Sequence, residues 1–149
     1  MPPTSSPDDL TAARDLAEAL RLTLRRLIRE FRRETDDLGF SKLQFLLLAI
    51  ICERPGVGVG ELARLENLRG PTVSTQIKTL ETAGAVTRAA PNVEDRRRVG
   101  LFPTDKGRAA IEALRRRRTD WLTQRIAALT PQSRRAIEQA IGPLGELAP

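Results

Sequence analysis

Between Leu10 and Phe31 the apolar residues Leu10, Ala13, Ala17, Leu20, Leu24, Leu27 and Phe31 recur at alternating steps of three and four. A 3.5-residue repeat held over three heptads is the seam of a helix lying along other helices. Leu16 and Ile28 widen the stripe, so more than one neighbour is expected. One reading is a long amphipathic core helix. A partner subunit is at least as good a reading, because one small domain rarely covers so long a stripe. At 149 residues the chain is one domain, or one domain with helical extensions.

Gly39 closes that unit, and Phe40-Ser41-Lys42-Leu43-Gln44-Phe45 opens the next. Ser41 and Gln44 have capping-box spacing, and Phe40 can staple onto Phe45. The helix that follows is nearly apolar all round and is expected to be buried, with Pro55-Gly56 ending it. Val57-Gly58-Val59 can form a short strand. Gly60 to Leu65 reads as a short helix with Leu62 and Leu65 turned inward, and Asn67 to Gly70 as a turn. Pro71 then suits the first turn of a helix over Thr72–Ala83, capped by Gly84. Its inward face is Val73, Ile77 and Leu80; the opposite face, Pro71, Thr75, Lys78, Thr79 and Thr82, is small or polar.

Two short strands, in Ala85–Ala90 and around Val99 and Leu101, flank the charged loop Pro91-Asn92-Val93-Glu94-Asp95-Arg96-Arg97-Arg98. Thr104 caps a further helix from Asp105 onward. Thr130-Pro131 starts a last helix, which Gly142-Pro143 is expected to break or kink. Met1 to Asp9 has no apolar core, does not read as a signal peptide, and is expected to be a disordered tail. No apolar run approaches the roughly 20 residues that span a bilayer.

Charge and composition bound the function. The chain carries +6 overall, yet thirteen basic against six acidic residues lie between Arg64 and Arg118, a local excess of +7. Arginine predominates, and its planar donor fork suits phosphates and guanine edges. There is no histidine and only one cysteine, Cys52, so histidine triads, His/Cys zinc sites and an internal disulfide are all excluded. No metal site and no cofactor are expected, and no nucleophile–base pair can be assembled, so the chain is not read as an enzyme. Cys52 ends an apolar helix and reads as a buried structural thiol.

Two short helices joined by a turn, followed by a charged hairpin, make a winged helix-turn-helix. The second helix can enter the major groove with its N-terminal residues Pro71, Thr72, Ser74, Thr75 and Lys78 nearest the base edges. Three arginines at a hairpin tip repel one another unless an anion compensates, and a narrow minor groove supplies one. A different-class reading is a basic helical protein that binds RNA or ribosomes. It would explain Arg115 to Arg118, which wrap all sides of a helix. Against it, aromatic residues are only 3% and none lies on the candidate surface.

From about Leu10 to Leu147 the sequence resembles the MarR (multiple antibiotic resistance regulator) family. The carrying stretches are Gly60-Glu61-Leu62-Ala63, Pro71-Thr72-Val73-Ser74, Leu80-Glu81-Thr82-Ala83-Gly84, Asp95-Arg96-Arg97-Arg98 and Thr104-Asp105-Lys106-Gly107. The resemblance implies a mainly α fold with a small β-hairpin wing, a winged helix-turn-helix with N- and C-terminal dimerisation helices. The expected division is a tail at 1–9, a dimerisation helix at 10–35, the DNA-binding domain at 36–104 and C-terminal dimerisation helices at 105–149.

The implied function is a cytoplasmic, ligand-responsive repressor that binds double-stranded DNA at a pseudo-palindromic operator as a homodimer. The implied effector is a small molecule whose identity the sequence does not give. DNA contacts are expected from Arg69, Pro71, Thr72, Ser74, Thr75, Gln76, Lys78, Asp95, Arg96, Arg97 and Arg98. Asp95 would orient an arginine and Arg97 would enter the minor groove. Dimer contacts are expected from Leu10, Ala13, Ala17, Leu20 and Leu24, and from Trp121, Leu122, Ile126, Ile137, Ile141 and Leu144. The sequence departs from the family pattern at Thr75, where many members carry arginine, and at Phe102-Pro103-Thr104, in place of a leucine-threonine junction.

Overall fold

A computed structural model describes residues 6–34, 37–89 and 100–147. The first helix, α1, spans Pro7–Glu34 and starts three residues before the expected Leu10. Ser6 and Asp9 explain the earlier start. The Asp9 carboxylate accepts from the Ser6 amide at 3.1 Å, and the Ser6 hydroxyl accepts from the Asp9 amide at 3.1 Å. A reciprocal cap with proline in the first turn nucleates a helix where composition suggested only a tail, so Pro7, Asp8 and Asp9 belong to α1.

Helix α2, Lys42–Glu53, starts on the predicted capping box: the Ser41 hydroxyl accepts from the Gln44 amide, and the Ser41 amide donates to Gln44 Oε1 at 2.9 Å. The Phe40 and Phe45 rings meet edge-on at 5.6 Å, as the staple requires. Phe45, Leu47, Leu48 and Ile51 are buried, but Leu46 is 42% exposed, so α2 keeps one open side. Gly56 then turns the chain at φ 93°. Val57 forms only an isolated antiparallel bridge to Leu101, and Val59 already belongs to helix α3, Val59–Leu65. The expected Val57–Val59 strand is therefore a single bridging residue.

In α3 the inward pair is Leu62 and Ala63, while Leu65 is 45% exposed, contrary to expectation. The burial of Ala63 centres the inward face between Leu62 and Ala63, and Leu65 lies about 110° around from that centre. Asn67 at φ 51° makes the turn, and the Leu68 amide returns to the Ala63 carbonyl at 2.8 Å. Helix α4, Gly70–Thr82, packs through Val73, Ile77 and Leu80, none of which retains any exposure. Gly84, at φ 74°, closes it: the Ala85 amide donates to the Leu80 carbonyl at 2.9 Å.

Strands β1, Val86–Thr87, and β2, Phe102–Pro103, pair antiparallel with Val86 opposite Pro103. The second strand thus lies later than the Val99–Leu101 expectation: Leu101 is taken up by its bridge to Val57, and Val99 lies outside the described residues. Thr104 caps helix α5, Asp105–Ala127, and helix α6, Pro131–Glu146, ends the described chain. Pro143 neither breaks nor ends α6. Proline removes one bond, to the Gln139 carbonyl. That residue is exposed, so water can replace the lost donor.

One core of residues from α2, α3, α4, the strands and the start of α5 holds the centre together. Helices α1 and α6 contribute no buried residue. Helix α1 meets α5 through the edge-on Phe31–Trp121 pair at 5.2 Å and, just beyond its end, Asp37 receives Arg117 at 3.2 Å. No described helix is long and apolar enough to cross a membrane.

Candidate nucleic-acid interface

With Val73, Ile77 and Leu80 fixed inward, helical geometry leaves Pro71, Thr72, Ser74, Thr75, Lys78, Thr79 and Thr82 on the open side of α4, and all are exposed. Thr75, Thr79 and Thr82 donate their hydroxyl protons to carbonyls one turn back, those of Pro71, Thr75 and Lys78, at 3.0, 3.2 and 2.9 Å. Their oxygens remain as acceptors. Thr72 and Ser74 make no such bond among the described residues, so their hydroxyls can donate as well as accept. The result is a surface of methyls, small hydroxyls and one ammonium, Lys78.

The N-terminus of α4 is open. Arg69 stands at the cap position, exposed and in extended conformation, and contributes no side-chain capping bond. Pro71 has no N–H to satisfy, while the first-turn amides keep theirs for an outside acceptor. Arg69, Pro71, Thr72, Ser74, Thr75 and Lys78 are therefore brought together on one accessible surface.

Gln76 lies to one side of it. It is half-buried, and its Oε1 accepts from Gln44 Nε2 at 3.0 Å, across the α2–α4 contact. At 100° per residue Gln76 lies about 40° from Leu80 and about 60° from Val73 around the axis, on the flank of α4 that faces α2, so the Oε1 of this expected DNA contact is engaged with Gln44.

Several contacts that hold this surface were not expected from the sequence. Glu81 binds Arg88 through two bonds, 2.8 Å to Nε and 3.2 Å to Nη2, linking α4 to the segment after β1. At the C-terminus of α4, Lys106 Nζ donates to the Ala83 carbonyl at 2.6 Å, and the Thr104 hydroxyl donates to that of Gly84 at 2.6 Å. A cation at a helix C-terminus complements its dipole. The motif Thr104-Asp105-Lys106-Gly107 carried this signal, since threonine at the cap and lysine two residues on put both donors on one turn. Asp95, Arg96, Arg97 and Arg98 lie outside the described residues.

The residues expected in a dimer are spread over three helices, α1, α5 and α6. Leu10 is 61% and Ile141 64% exposed; Ala13, Ala17, Leu24, Ile137 and Leu144 are exposed too, while Leu20, Trp121, Leu122 and Ile126 are half-buried. Between α1, α2 and α5 lies a cavity of about 910 Å³, walled by Phe31, Phe40, Phe45 and Leu114 with Lys42 and Arg118 at its edge. Cys52 is half-buried, and burial pushes its thiol pKa up against the opposing pull of Arg108. Among the described residues no group of three or more His, Cys, Asp or Glu comes together that could hold a metal ion.

A family model for the MarR family matches residues 40–99. An uncharacterized HTH-type transcriptional regulator of Mycobacterium bovis is 31% identical over 125 residues, covering 84% of this chain and 87% of its own. A solved transcriptional regulator of Pseudomonas aeruginosa, itself described as only a candidate, superposes with a TM-score of 0.73 at 30% identity, over 93% of this chain and 96% of that one. A MarR family protein of Mycobacterium tuberculosis, solved in complex with DNA, shares the fold at a TM-score of 0.64 and 24% identity, over 87% and 97% of the two chains.

Proposed function

The chain belongs to the MarR family, and from that premise we propose that it is a sequence-specific regulator of transcription that binds double-stranded DNA as a homodimer. The observation that carries the reading is the open face of α4. Its uncapped N-terminus, Thr72, Ser74, Thr75 and Lys78 are accessible together, on a helix anchored by three fully buried residues. A phosphate can take the first-turn amides while the hydroxyls and methyls behind it meet base edges in the major groove. The DNA-bound relative from Mycobacterium tuberculosis supports the reading by analogy. Asp95, Arg96, Arg97 and Arg98 are proposed to work as the wing, with Arg97 in the minor groove.

Dimerisation is proposed because α1 and α6 have apolar stripes and no buried residue. Leu10, Ala13, Ala17, Leu20 and Leu24 on α1 would join Trp121, Leu122 and Ile126 on α5 and Ile137, Ile141 and Leu144 on α6 to cover one another across a twofold axis. The division into a dimerisation helix at 10–35, a winged domain at 36–104 and C-terminal helices at 105–149 belongs to the same proposal. So does action in the cytoplasm by binding alone, as a repressor relieved by a small molecule in the cavity between α1, α2 and α5.

Selecting duplexes from a random pool on the full-length protein tests the proposal. The expected product is a pseudo-palindrome with half-site centres about one helical turn, roughly 10 bp, apart. No enrichment, or enrichment of single strands in a parallel selection, overturns it.

A further inference from the structure

We propose that Gln44 and Gln76 form a positioning pair that fixes the rotation of α4 on α2, so that Gln76 serves base recognition without touching a base. The inference rests on the DNA-binding reading above. Gln44 Nε2 donates to Gln76 Oε1 at 3.0 Å between residues 32 positions apart, in a part-buried setting. Gln44 is itself held: its Oε1 accepts the Ser41 amide at 2.9 Å, and its own amide donates to the Ser41 hydroxyl at 3.2 Å. One end of the link is therefore locked into the cap of α2, and the other is carried by the candidate recognition helix.

Val73, Ile77 and Leu80 hold α4 against the core, but apolar contact is non-directional and fixes the distance of a helix better than its rotation. A hydrogen bond is directional and weakens steeply when misaligned. A rotation of roughly 20° about the α4 axis moves the tips of outward side chains by about 2 Å, given a helix of about 10–12 Å diameter with its side chains. Such a shift breaks hydrogen bonds from Ser74 or Thr72 to base edges. Long side chains such as Lys78 and Arg69 can follow a phosphate through the same shift. Loss of the link should therefore lower sequence discrimination and leave general affinity for DNA in place.

The test uses the full chain, the duplex that it selects, and a scrambled duplex of equal length at one salt concentration. Gln44→Leu, Gln76→Leu and the double variant are compared with Gln44→Glu. The glutamate keeps the capping box and can accept from a Gln76 amide turned end for end. Each leucine variant is expected to lower the ratio of operator to scrambled affinity about five- to tenfold, as for loss of one part-buried hydrogen bond. Scrambled-duplex affinity is expected to hold within about twofold. The double variant should be no worse than either single one, and Gln44→Glu should keep most of the wild-type ratio. Gln76→Leu leaves the α2 cap intact, so it reports even where Gln44→Leu unsettles α2. Losses that multiply in the double variant, or a loss confined to Gln76→Leu, mean that Gln76 reads bases directly and overturn the proposal, as does an unchanged ratio. A wild-type chain that selects no duplex overturns the DNA-binding reading instead.

Discussion

The carboxylate of Glu81 takes two hydrogen bonds from the Arg88 guanidinium, at 2.8 and 3.2 Å, and so ties the last turn of α4 to the segment that leaves β1. The paired side chains are 27% and 44% exposed, so solvent screens much of their attraction. Arg88→Ala is expected to change unfolding free energy by less than about 1 kcal/mol, read from urea denaturation. The same variant should weaken operator binding more than it weakens the fold, because it frees the base of the wing from α4. Equal effects on both would assign the pair to stability alone.

Glycines separate along the same line of reasoning. A Cβ on Gly107 would collide with the backbone carbonyl of Ala85, and one on Gly100 would lie 2.5 Å from the Gly56 carbonyl oxygen. Gly107→Ala should destabilise by about 1–3 kcal/mol or more, since backbone rather than a flexible side chain has to move. Gly60, inside α3, has nothing within 4 Å of the same position, and Gly60→Ala should stabilise by about 0.4–1 kcal/mol. Thermal melts of the two variants should shift in opposite directions.

Ile141 is 64% exposed on α6. In a solitary chain a charge there costs almost nothing, whereas at the centre of a dimer interface it is prohibitive. Ile141→Glu is expected to give a folded monomer by sedimentation and to lose operator binding. An unchanged sedimentation coefficient would remove Ile141 from the interface.

Salt sensitivity measures phosphate contacts. Lys78→Ala on α4 and Arg97→Ala on the proposed wing should each lower the slope of log affinity against log salt by about 0.9 per lost contact. A slope that does not move removes that side chain from the DNA backbone.

Burial raises the Cys52 thiol pKa above its ordinary value of 9.0. The folded state thus holds its proton where the unfolded state releases it. The sign follows: between pH 9 and the higher folded value, unfolding gives up a proton, and the stability tied to the protonated thiol is lost as pH rises. Below pH 8 the thiol contributes no slope. At pH 8 iodoacetamide should label native Cys52 more slowly than the urea-unfolded chain, and equal rates would show the thiol to be open.

Local chemistry made much of this molecule legible. Ser41 with Gln44, Pro71 with Gly84, and Thr104 ahead of Asp105 announce helix limits, because caps are satisfied within three or four residues. The inward face of α4 follows from the 3.6-residue period alone. The failures have causes of the same kind. By composition Ser6 and Asp9 read as tail although they form a cap, and spacing from Leu62 places Leu65 inward although the burial of Ala63 turns the inward face of α3 away from it. Gly142-Pro143 reads as a break or kink, yet α6 runs on through Pro143, which stands exposed in its last turn.

The sequence by itself determined the helices, the small-polar face of α4 and the unmatched apolar stripes of α1 and α6, because each depends on spacing within one segment. Only the tertiary structure decided that Gln76 turns to Gln44, that Glu81 meets Arg88, and that Lys106 closes the end of α4. Those partners lie between 7 and 32 residues apart, and no local periodicity encodes a contact made when separate elements pack.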